Sequence, residues 1–388
     1  MTRLPFHLVA ASATFLMTLP AAAVDEVFQT EGPAIHVQTV ADGLVHPWAI
    51  AFLPDGGMLV TERPGNLRHV TAEGEVSAPI QGVPEVDARD QGGLLDVVLD
   101  PDFEQNRLVY LSYAEAGDGG NSTAVAHGTL SEDASALSEV EVIFRQQPKL
   151  PSTMHFGSRL VFDGEGHLFV TLGERFDERF RGQAQDLDSH LGKIVRINPD
   201  GSVPEDNPFV GREGALPEIW SYGHRNIQAA AINPETGVLW EIEHGPKGGD
   251  ELNIVEPGEN YGWPVVSLGV NYDGTPVGEG LRHAEGMVDP VHSWTPVIAP
   301  SGMIFYQGDA FPEWQGDLFV GGLASQALVR LELEGNEVAG EERLLESLGL
   351  RMRDVAEGPG GAIYVATDED NGEILRIEPA DETQTGAN

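Results

Sequence analysis

The chain has 388 residues, with 62 acidic against 22 basic side chains, a formal net charge of −40, and no cysteine. This charge argues against nucleic acid or an anionic membrane surface as a partner, and the absence of thiols excludes disulfides and thiol chemistry. Such an acidic composition is typical of salt-adapted, halophilic proteins, because high ionic strength screens the self-repulsion.

The N-terminus predicts an exported protein. Arg3 is followed by an apolar run at residues 8–19 and by the small residues Pro20–Ala23, which is the pattern of a cleaved signal peptide. We therefore expect residues 1–23 to be removed and the mature protein to be periplasmic or secreted. No other run reaches the roughly 20 apolar residues that cross a bilayer, so membrane insertion is not expected. The polar, acidic tail at residues 380–388 is expected to be disordered.

Short β-prone runs separated by turn residues recur along residues 24–379, while helical periodicity is nearly absent. The recurrence predicts an all-β fold, a six-bladed β-propeller, with a β-sandwich as the rival. A ligand would then sit where the loops gather, at one end of the central channel. The six predicted strand pairs are Met58–Thr61 with Leu67–Val70, Pro101–Tyr113 with Ala124–Leu130, Gly164–Thr171 with Lys193–Asn198, Thr236–Glu243 with Glu251–Val255, Gly316–Gly322 with Ala327–Leu333, and Gly360–Thr367 with Glu373–Glu378.

Two dense polar loops, at residues 222–228 and 244–253, flank one predicted strand pair. The first contains Arg225 and Asn226, whose guanidinium and amide groups suit a polyanionic or carbonyl-rich ligand. For the second loop alone, the alternative is a turn marked by glycine and proline, with its charges solvated.

The second loop combines glycines, a proline and carboxylates. Gly245 and Pro246 can present backbone carbonyls to a ligand, and Asp250 and Glu251 follow closely. Carbonyl and carboxylate oxygens are the ligands that Ca²⁺ takes in proteins. The loop is therefore a candidate calcium site.

Three motifs carry a family resemblance: W-S-Y-G-H-R-N-I-Q from Trp220, H-G-P-K-G-G-D-E-L-N from His244, and N-Y-G-W-P from Asn260. In this order they resemble the soluble quinoprotein sugar dehydrogenases, the glucose/sorbosone and aldose sugar dehydrogenases. The likeness extends over residues 40–379. It implies a six-bladed propeller that uses pyrroloquinoline quinone (PQQ) and Ca²⁺ to oxidise the C1 hydroxyl of an aldose to the lactone. An external acceptor would then take the electrons.

The resemblance implies a general base at His155, in the sequence M-H-F-G-S-R-L. Imidazole suits removal of a hydroxyl proton near neutral pH. The glucose-oxidising relatives have an acidic residue before this histidine, where the chain has Met154. Arg159 is expected to be a cofactor-side or structural residue of lower rank.

The resemblance also assigns the remaining site residues. Arg225 and Asn226 would lie against the quinone, and Arg351 and Arg353, two residues apart on an extended segment, would hold its carboxylates. A lysine of the glucose-oxidising relatives is replaced by Ala324. The other implied roles are Gln91 and Trp294 at the sugar, Asp250 near the base, Gly245 and Pro246 at the catalytic Ca²⁺, and Glu251 and Tyr261 at a second, structural calcium.

Two functions of other classes stay open at this point. One is a calcium-dependent propeller lactonase without a quinone, which the Arg351/Arg353 pair argues against. The other is a propeller that only binds a partner, which the intact His155, Arg225 and Asn226 argue against. The preferred aldose and the oligomeric state are not predicted.

Overall fold

The computed structural model describes residues 23–381. The predicted signal peptide at residues 1–23 and the predicted tail at 380–388 lie outside that range except for Ala23, Ala380 and Asp381. Within it the chain forms six antiparallel sheets, so the prediction of an all-β, six-bladed propeller is confirmed and the β-sandwich is wrong. No helix in residues 23–381 is long and apolar enough to cross a membrane.

The first half of the described chain contains thirteen strands, a short helix α1 (Phe103–Asn106) and a 3-10 turn (Arg181–Gln185). The strands are β1 (Asp25–Phe28), β2 (Ile35–Leu44), β3 (Pro47–Phe52), β4 (Met58–Glu62), β5 (Asn66–Val70), β6 (Leu94–Leu99), β7 (Leu108–Gly117), β8 (Gly120–Leu130), β9 (Leu137–Arg145), β10 (Gly157–Phe162), β11 (Leu168–Leu172), β12 (Lys193–Ile197) and β13 (Ile219–Tyr222).

The second half contains eleven strands and three 3-10 turns (Pro312–Trp314, Glu346–Leu348, Pro359–Gly361). The strands are β14 (Ile227–Ile232), β15 (Leu239–Glu243), β16 (Asp250–Val255), β17 (His292–Trp294), β18 (Pro300–Phe305), β19 (Leu318–Gly322), β20 (Ala327–Glu334), β21 (Glu337–Leu344), β22 (Met352–Glu357), β23 (Ile363–Thr367) and β24 (Gly372–Pro379).

The N-terminal strands close the ring. Five blades are consecutive, β3–β5, β6–β9, β10–β13, β14–β17 and β18–β21, while the sixth has the order β1-β2-β24-β23-β22. Strand β2 pairs with β24 from Ile35 opposite Pro379 to Leu44 opposite Gly372. The first strands of neighbouring blades contact one another all the way round. This arrangement leaves only short outer edges unpaired.

The six predicted strand pairs are the second and third strands of the six blades. The first strand of each blade is not part of these predicted pairs, because its pairing with the second strand shifts register near its start in every blade. A bulge of this kind interrupts the alternation of side chains that identifies a strand. Outer strands such as β21, E-V-A-G-E-E-R-L, are mostly polar and give little signal.

The bulges turn polar and aromatic side chains towards the axis. The irregular positions include Trp48, Gln228 and Arg353. Arg159, in the bulge of β10, bridges Asp96 (3.0 Å) and Asp354 (3.1 Å) and has its guanidinium 4.5 Å from the Trp48 ring centroid. Arg159 is therefore held in the channel by two carboxylates and an aromatic ring, in agreement with a structural role.

Candidate active site

His155 lies in the loop that leads into β10, with a left-handed φ of 52°. Its backbone N–H donates to Gln91 Oε1 (2.8 Å), and its Nδ1 lies 2.8 Å from Glu174 Oε1. A carboxylate only accepts, so Nδ1 carries the proton and Nε2 keeps a lone pair. The ring is thus oriented to accept a proton at Nε2. Gln91, predicted to contact sugar, is placed beside the base.

Burial lowers the pKa of His155 to about 4, with the nearby Arg225 guanidinium adding to the effect. The side chain is 4% exposed, so the charged imidazolium would lose most of its hydration. The imidazole is therefore neutral, and able to accept a proton, throughout the neutral pH range.

Glu174 and Arg175 lie at the start of the loop that follows β11. Both are buried, and Arg175 donates to the carbonyls of Met154 (3.0 Å) and Ser152 (2.7 Å). Glu174 follows β11 almost directly. Glu174 is the partner of the base, and the sequence analysis did not identify it. Its position could have done so, because a carboxylate two residues after a buried strand lies at the end of the propeller where the loops gather.

Arg225 lies in the loop between β13 and β14 and is 3% exposed. Its backbone N–H donates to Glu243 Oε2 (2.6 Å), while its Nη1 donates to the carbonyls of His244 (2.7 Å) and Gly245 (2.6 Å). Within residues 23–381 its buried Nε has no hydrogen-bond partner. One donor of the guanidinium is therefore still available to a ligand.

Asn226 connects this loop to the loop of the base. Its Oδ1 accepts the backbone N–H of Gly157 (3.1 Å), two residues after His155. The backbone carbonyls of Arg225 and Asn226 accept the N–H groups of Glu174 (2.9 Å) and His244 (3.0 Å). Four loops from neighbouring blades are thereby held in register around the base.

Asp250 fixes the Gly245 loop. Its Oδ1 accepts the Gly245 N–H (2.8 Å), and its Oδ2 accepts the N–H of Ala299 (2.8 Å). A Cβ at Gly245 would collide with the Gly249 carbonyl oxygen, so only glycine fits. Burial raises the pKa of Asp250 to about 6. With both carboxylate oxygens engaged by backbone, Asp250 positions Gly245.

A cavity of about 270 Å³ opens beside this cluster. Three arginines line it, Arg63, Arg351 and Arg353, together with Trp48, Asn226 and Gln228. Arg351 (3.4 Å) and Arg353 (2.6 Å) both reach Asp368 Oδ2. Both line the same cavity, as expected for residues two positions apart on an extended segment. The sequence analysis did not select Arg63, because a single arginine in a turn is not part of a recognisable motif.

The donor atoms of this cavity fit a polyanionic ligand. Arg353 has a buried Nε without a partner in the described chain, and the half-buried Arg63 lines the same cavity. Unpaired buried donors are costly unless a ligand accepts from them. Trp48, at the cavity wall, provides an aromatic face.

A second cavity, of about 330 Å³, is lined by Glu174, Arg225, Pro246, the buried Trp263 and two exposed aromatic side chains. These are Phe176, which is 41% exposed, and Tyr272, which is 61% exposed. Exposed aromatic rings above a polar cavity are suited to stacking on a sugar ring or a flat cofactor. Sequence reasoning did not select them.

Trp294 does not fit the predicted contact with sugar. It is 3% exposed, lies in the core between two blades, and donates from its indole N–H to Glu341 Oε2 (2.8 Å). No face of the ring is open to a ligand, so Trp294 is a core residue of the propeller.

The two residues expected at a second calcium have other contacts. Glu251 is buried and lies opposite Glu243 on the neighbouring strand. The Tyr261 hydroxyl donates to the Ile254 carbonyl (2.7 Å) and accepts the Glu256 N–H (2.8 Å). Ala324, where relatives carry a lysine, donates its backbone N–H to Ile298 (2.9 Å).

The chain is similar to known sugar dehydrogenases in sequence and in fold. The sequence model of the Glucose / Sorbosone dehydrogenase family matches residues 44–376. The chain is 50% identical over 348 residues to aldose sugar dehydrogenase YliI of Escherichia coli (strain K12), covering 89% of this chain and 93% of that protein. The apo-form structure of the soluble aldose sugar dehydrogenase (Asd) from Escherichia coli has a TM-score of 0.86 and 49% identity, covering 89% and 100% of the two chains. The PQQ-bound aldose sugar dehydrogenase (Adh) from Streptomyces coelicolor has a TM-score of 0.72 and 30% identity, covering 92% and 99%.

Proposed function

The chain belongs to the glucose/sorbosone dehydrogenase family, and on that premise we propose that it is a PQQ- and Ca²⁺-dependent aldose dehydrogenase. The observation that carries the proposal is the pairing of a buried, oriented base, His155–Glu174, with an adjacent cavity lined by three arginines. The reaction is oxidation of the C1 hydroxyl of an aldose to the lactone.

His155 is the proton acceptor. Its Nε2 lone pair takes the proton of the sugar C1 hydroxyl, while Glu174 stabilises the imidazolium that forms. PQQ, when bound, would supply the acceptor for the C1 hydrogen, which leaves as a hydride and so carries the electron pair of the C–H bond. The exposed rings of Phe176 and Tyr272 support the sugar at the mouth of the site.

The arginines hold the cofactor. Arg351, Arg353 and Arg63 would receive the carboxylates of PQQ, and Arg225 with Asn226 would face its quinone oxygens. Arg63 also explains how the site tolerates Ala324, since a third cation lines the cavity without the lysine of relatives.

The carbonyls of Gly245 and Pro246 would bind the catalytic Ca²⁺, whose Lewis acidity polarises a carbonyl group. Carbonyl oxygen is a suitable ligand for this hard cation, and Asp250 holds Gly245 in place. A second, structural calcium would draw on Glu251 and Tyr261, the residues that the family resemblance assigns to it.

The N-terminal segment supports export by way of a cleaved signal peptide, so we propose that the enzyme works in the periplasm or outside the cell. An external acceptor would then reoxidise the cofactor. The net charge of −40 supports a saline environment.

The experiment is reconstitution of the metal-free protein with PQQ, with and without Ca²⁺, followed by dye reduction with a panel of aldoses. We expect aldose-dependent dye reduction only when both are present. PQQ binding without turnover would favour the partner-binding propeller, and lactone hydrolysis without PQQ would favour the lactonase.

A further inference from the structure

A second group of ionisable side chains lies next to the Arg225–Asn226 loop. His224 in that loop, and Glu241 and Glu243 on β15, place potential ligand atoms within 4.8 Å of one another. All three are buried. They are not among the residues that the family resemblance assigns to PQQ, sugar or calcium.

The distances in this group fit a small cation. His224 Nδ1 lies 3.4 Å from Glu241 Oε1 and 3.8 Å from Glu243 Oε2. Two ligand atoms that each lie about 2.1 Å from a tetrahedral Zn²⁺ are roughly 3.4 Å apart. These separations exceed a usual N–H···O hydrogen bond.

Several buried atoms in the group lack hydrogen-bond partners. Among residues 23–381, His224 Nδ1, Glu241 Oε2 and Asn253 Oδ1 have none. Asn253 is the cross-strand neighbour of Glu241 and donates to its Oε1 (2.8 Å). Three unpartnered buried polar atoms on neighbouring residues are costly unless something binds them.

The histidine is oriented as a metal ligand would be. His224 Nε2 lies 2.9 Å from Ser221 Oγ, and the ring stacks on Tyr261 with centroids 4.6 Å apart. When Nε2–H donates to the serine, the Nδ1 lone pair faces the two carboxylates. Metal-binding histidines commonly use their other nitrogen as a donor in this way.

The carboxylates also lack a cationic partner. In the described chain, neither Glu241 nor Glu243 forms an ion pair with a lysine or arginine. Burial raises the pKa of Glu241 to about 8, because a buried carboxylate without a cationic partner is unfavourable. A bound cation or a proton on the carboxylates would relieve the charge.

We propose that His224, Glu241 and Glu243 bind a structural Zn²⁺ ion, with Asn253 Oδ1 as the next available ligand. An imidazole nitrogen with two carboxylates suits zinc, whereas calcium takes oxygen ligands. This ion is distinct from the calcium at Gly245 and Pro246, and the inference does not depend on the proposed dehydrogenase activity.

The ion would affect the active site through one carboxylate. Glu243 Oε2 also accepts the backbone N–H of Arg225 (2.6 Å). A metal that fixes this carboxylate would therefore fix the backbone from which the Arg225 guanidinium extends. The three ligands are positioning residues for that arginine.

The test begins with the metal content of the full-length mature chain, purified from zinc-supplemented medium and dialysed against excess Ca²⁺. We expect stoichiometric zinc, with an anomalous peak between the three side chains in crystals measured above the zinc edge and none below it. The variants Glu241→Gln and His224→Gln should lose the zinc. His190→Gln is the matched control, because His190 is a buried histidine paired with Glu218 (2.8 Å) outside the group, and it should retain the metal.

Zinc-free protein, both as purified and after refolding with Zn²⁺, would overturn the site and favour protonated carboxylates. Zinc at another position, or retained in both ligand variants, would also overturn it. If those variants do not fold, the anomalous map of the wild-type protein shows whether zinc lies between the three side chains. If zinc is bound at this site but the protein does not oxidise sugars, the proposed function is contradicted and the zinc site is not.

Discussion

Arg225 Nη1 donates to the carbonyl oxygen of Gly245 at 2.6 Å, the same oxygen that we assign to the catalytic Ca²⁺. A guanidinium thus already supplies positive charge at this carbonyl. Calcium and the arginine must share the oxygen, or the arginine must turn towards the ligand. The two cations are therefore coupled through Gly245.

Calcium and PQQ are accordingly expected to bind interdependently. With few protein ligands at Gly245 and Pro246, Ca²⁺ needs the cofactor to complete its coordination, and each ligand should increase affinity for the other by the same factor. Titration of PQQ in Ca²⁺ and in EDTA, followed by fluorescence quenching, measures this factor. Equal affinity in the two buffers would contradict the assignment.

Replacement of His155 by Ala should reduce kcat by about 10²–10⁴-fold, since a positioned general base contributes that much. PQQ binding and the melting temperature should change little. His283→Ala is the control, because that histidine is largely exposed. Sugar oxidation at nearly the wild-type rate by the His155 variant would exclude His155 as the base.

The pH dependence of kcat/KM should report the lowered pKa of His155. The neutral imidazole is the active form, so activity should rise as the pH increases through about 4 and be level by neutral pH. Glu174 raises this pKa, so Glu174→Gln should move the acid limb to lower pH and also reduce kcat. An acid limb near the ordinary histidine value of about 6.5, unchanged in the variant, would contradict both roles.

The cavity arginines should determine PQQ affinity. A charge-assisted hydrogen bond contributes roughly 1.5–3 kcal/mol, so Arg353→Ala and Arg63→Ala should each weaken PQQ binding by about ten- to a hundredfold. Ala324→Lys should tighten it, and Arg343→Ala, on an outer strand, should have no effect. If both cavity variants bind PQQ normally, the cofactor does not occupy this cavity.

Trp294→Phe tests whether the buried tryptophan contributes to sugar binding. Loss of its hydrogen bond to Glu341 should lower the free energy of unfolding by about 1 kcal/mol without raising the KM for sugar. Tyr272→Ala, at the exposed mouth, should raise KM with little change in stability. A raised KM in the Trp294 variant, with an unchanged KM in the Tyr272 variant, would show that Trp294 contributes to sugar binding.

Much of this protein could be read from its sequence. The second and third strands of all six blades were predicted, because their side chains alternate regularly and turn residues bound them. The motifs around His155, Arg225, Gly245 and Arg351 likewise indicated the candidate site, since they are local patterns of adjacent residues.

Only the tertiary structure decided which distant residues meet. The bulged first strands bring Trp48, Gln228 and Arg353 to one channel, and the closure of the ring places Arg63 beside Arg353. The structure also pairs Glu174 with His155 and places Trp294 in the core between two blades. Contacts between residues far apart in the chain depend on the register between strands and the packing between blades, and neither is encoded in a local pattern of residue types.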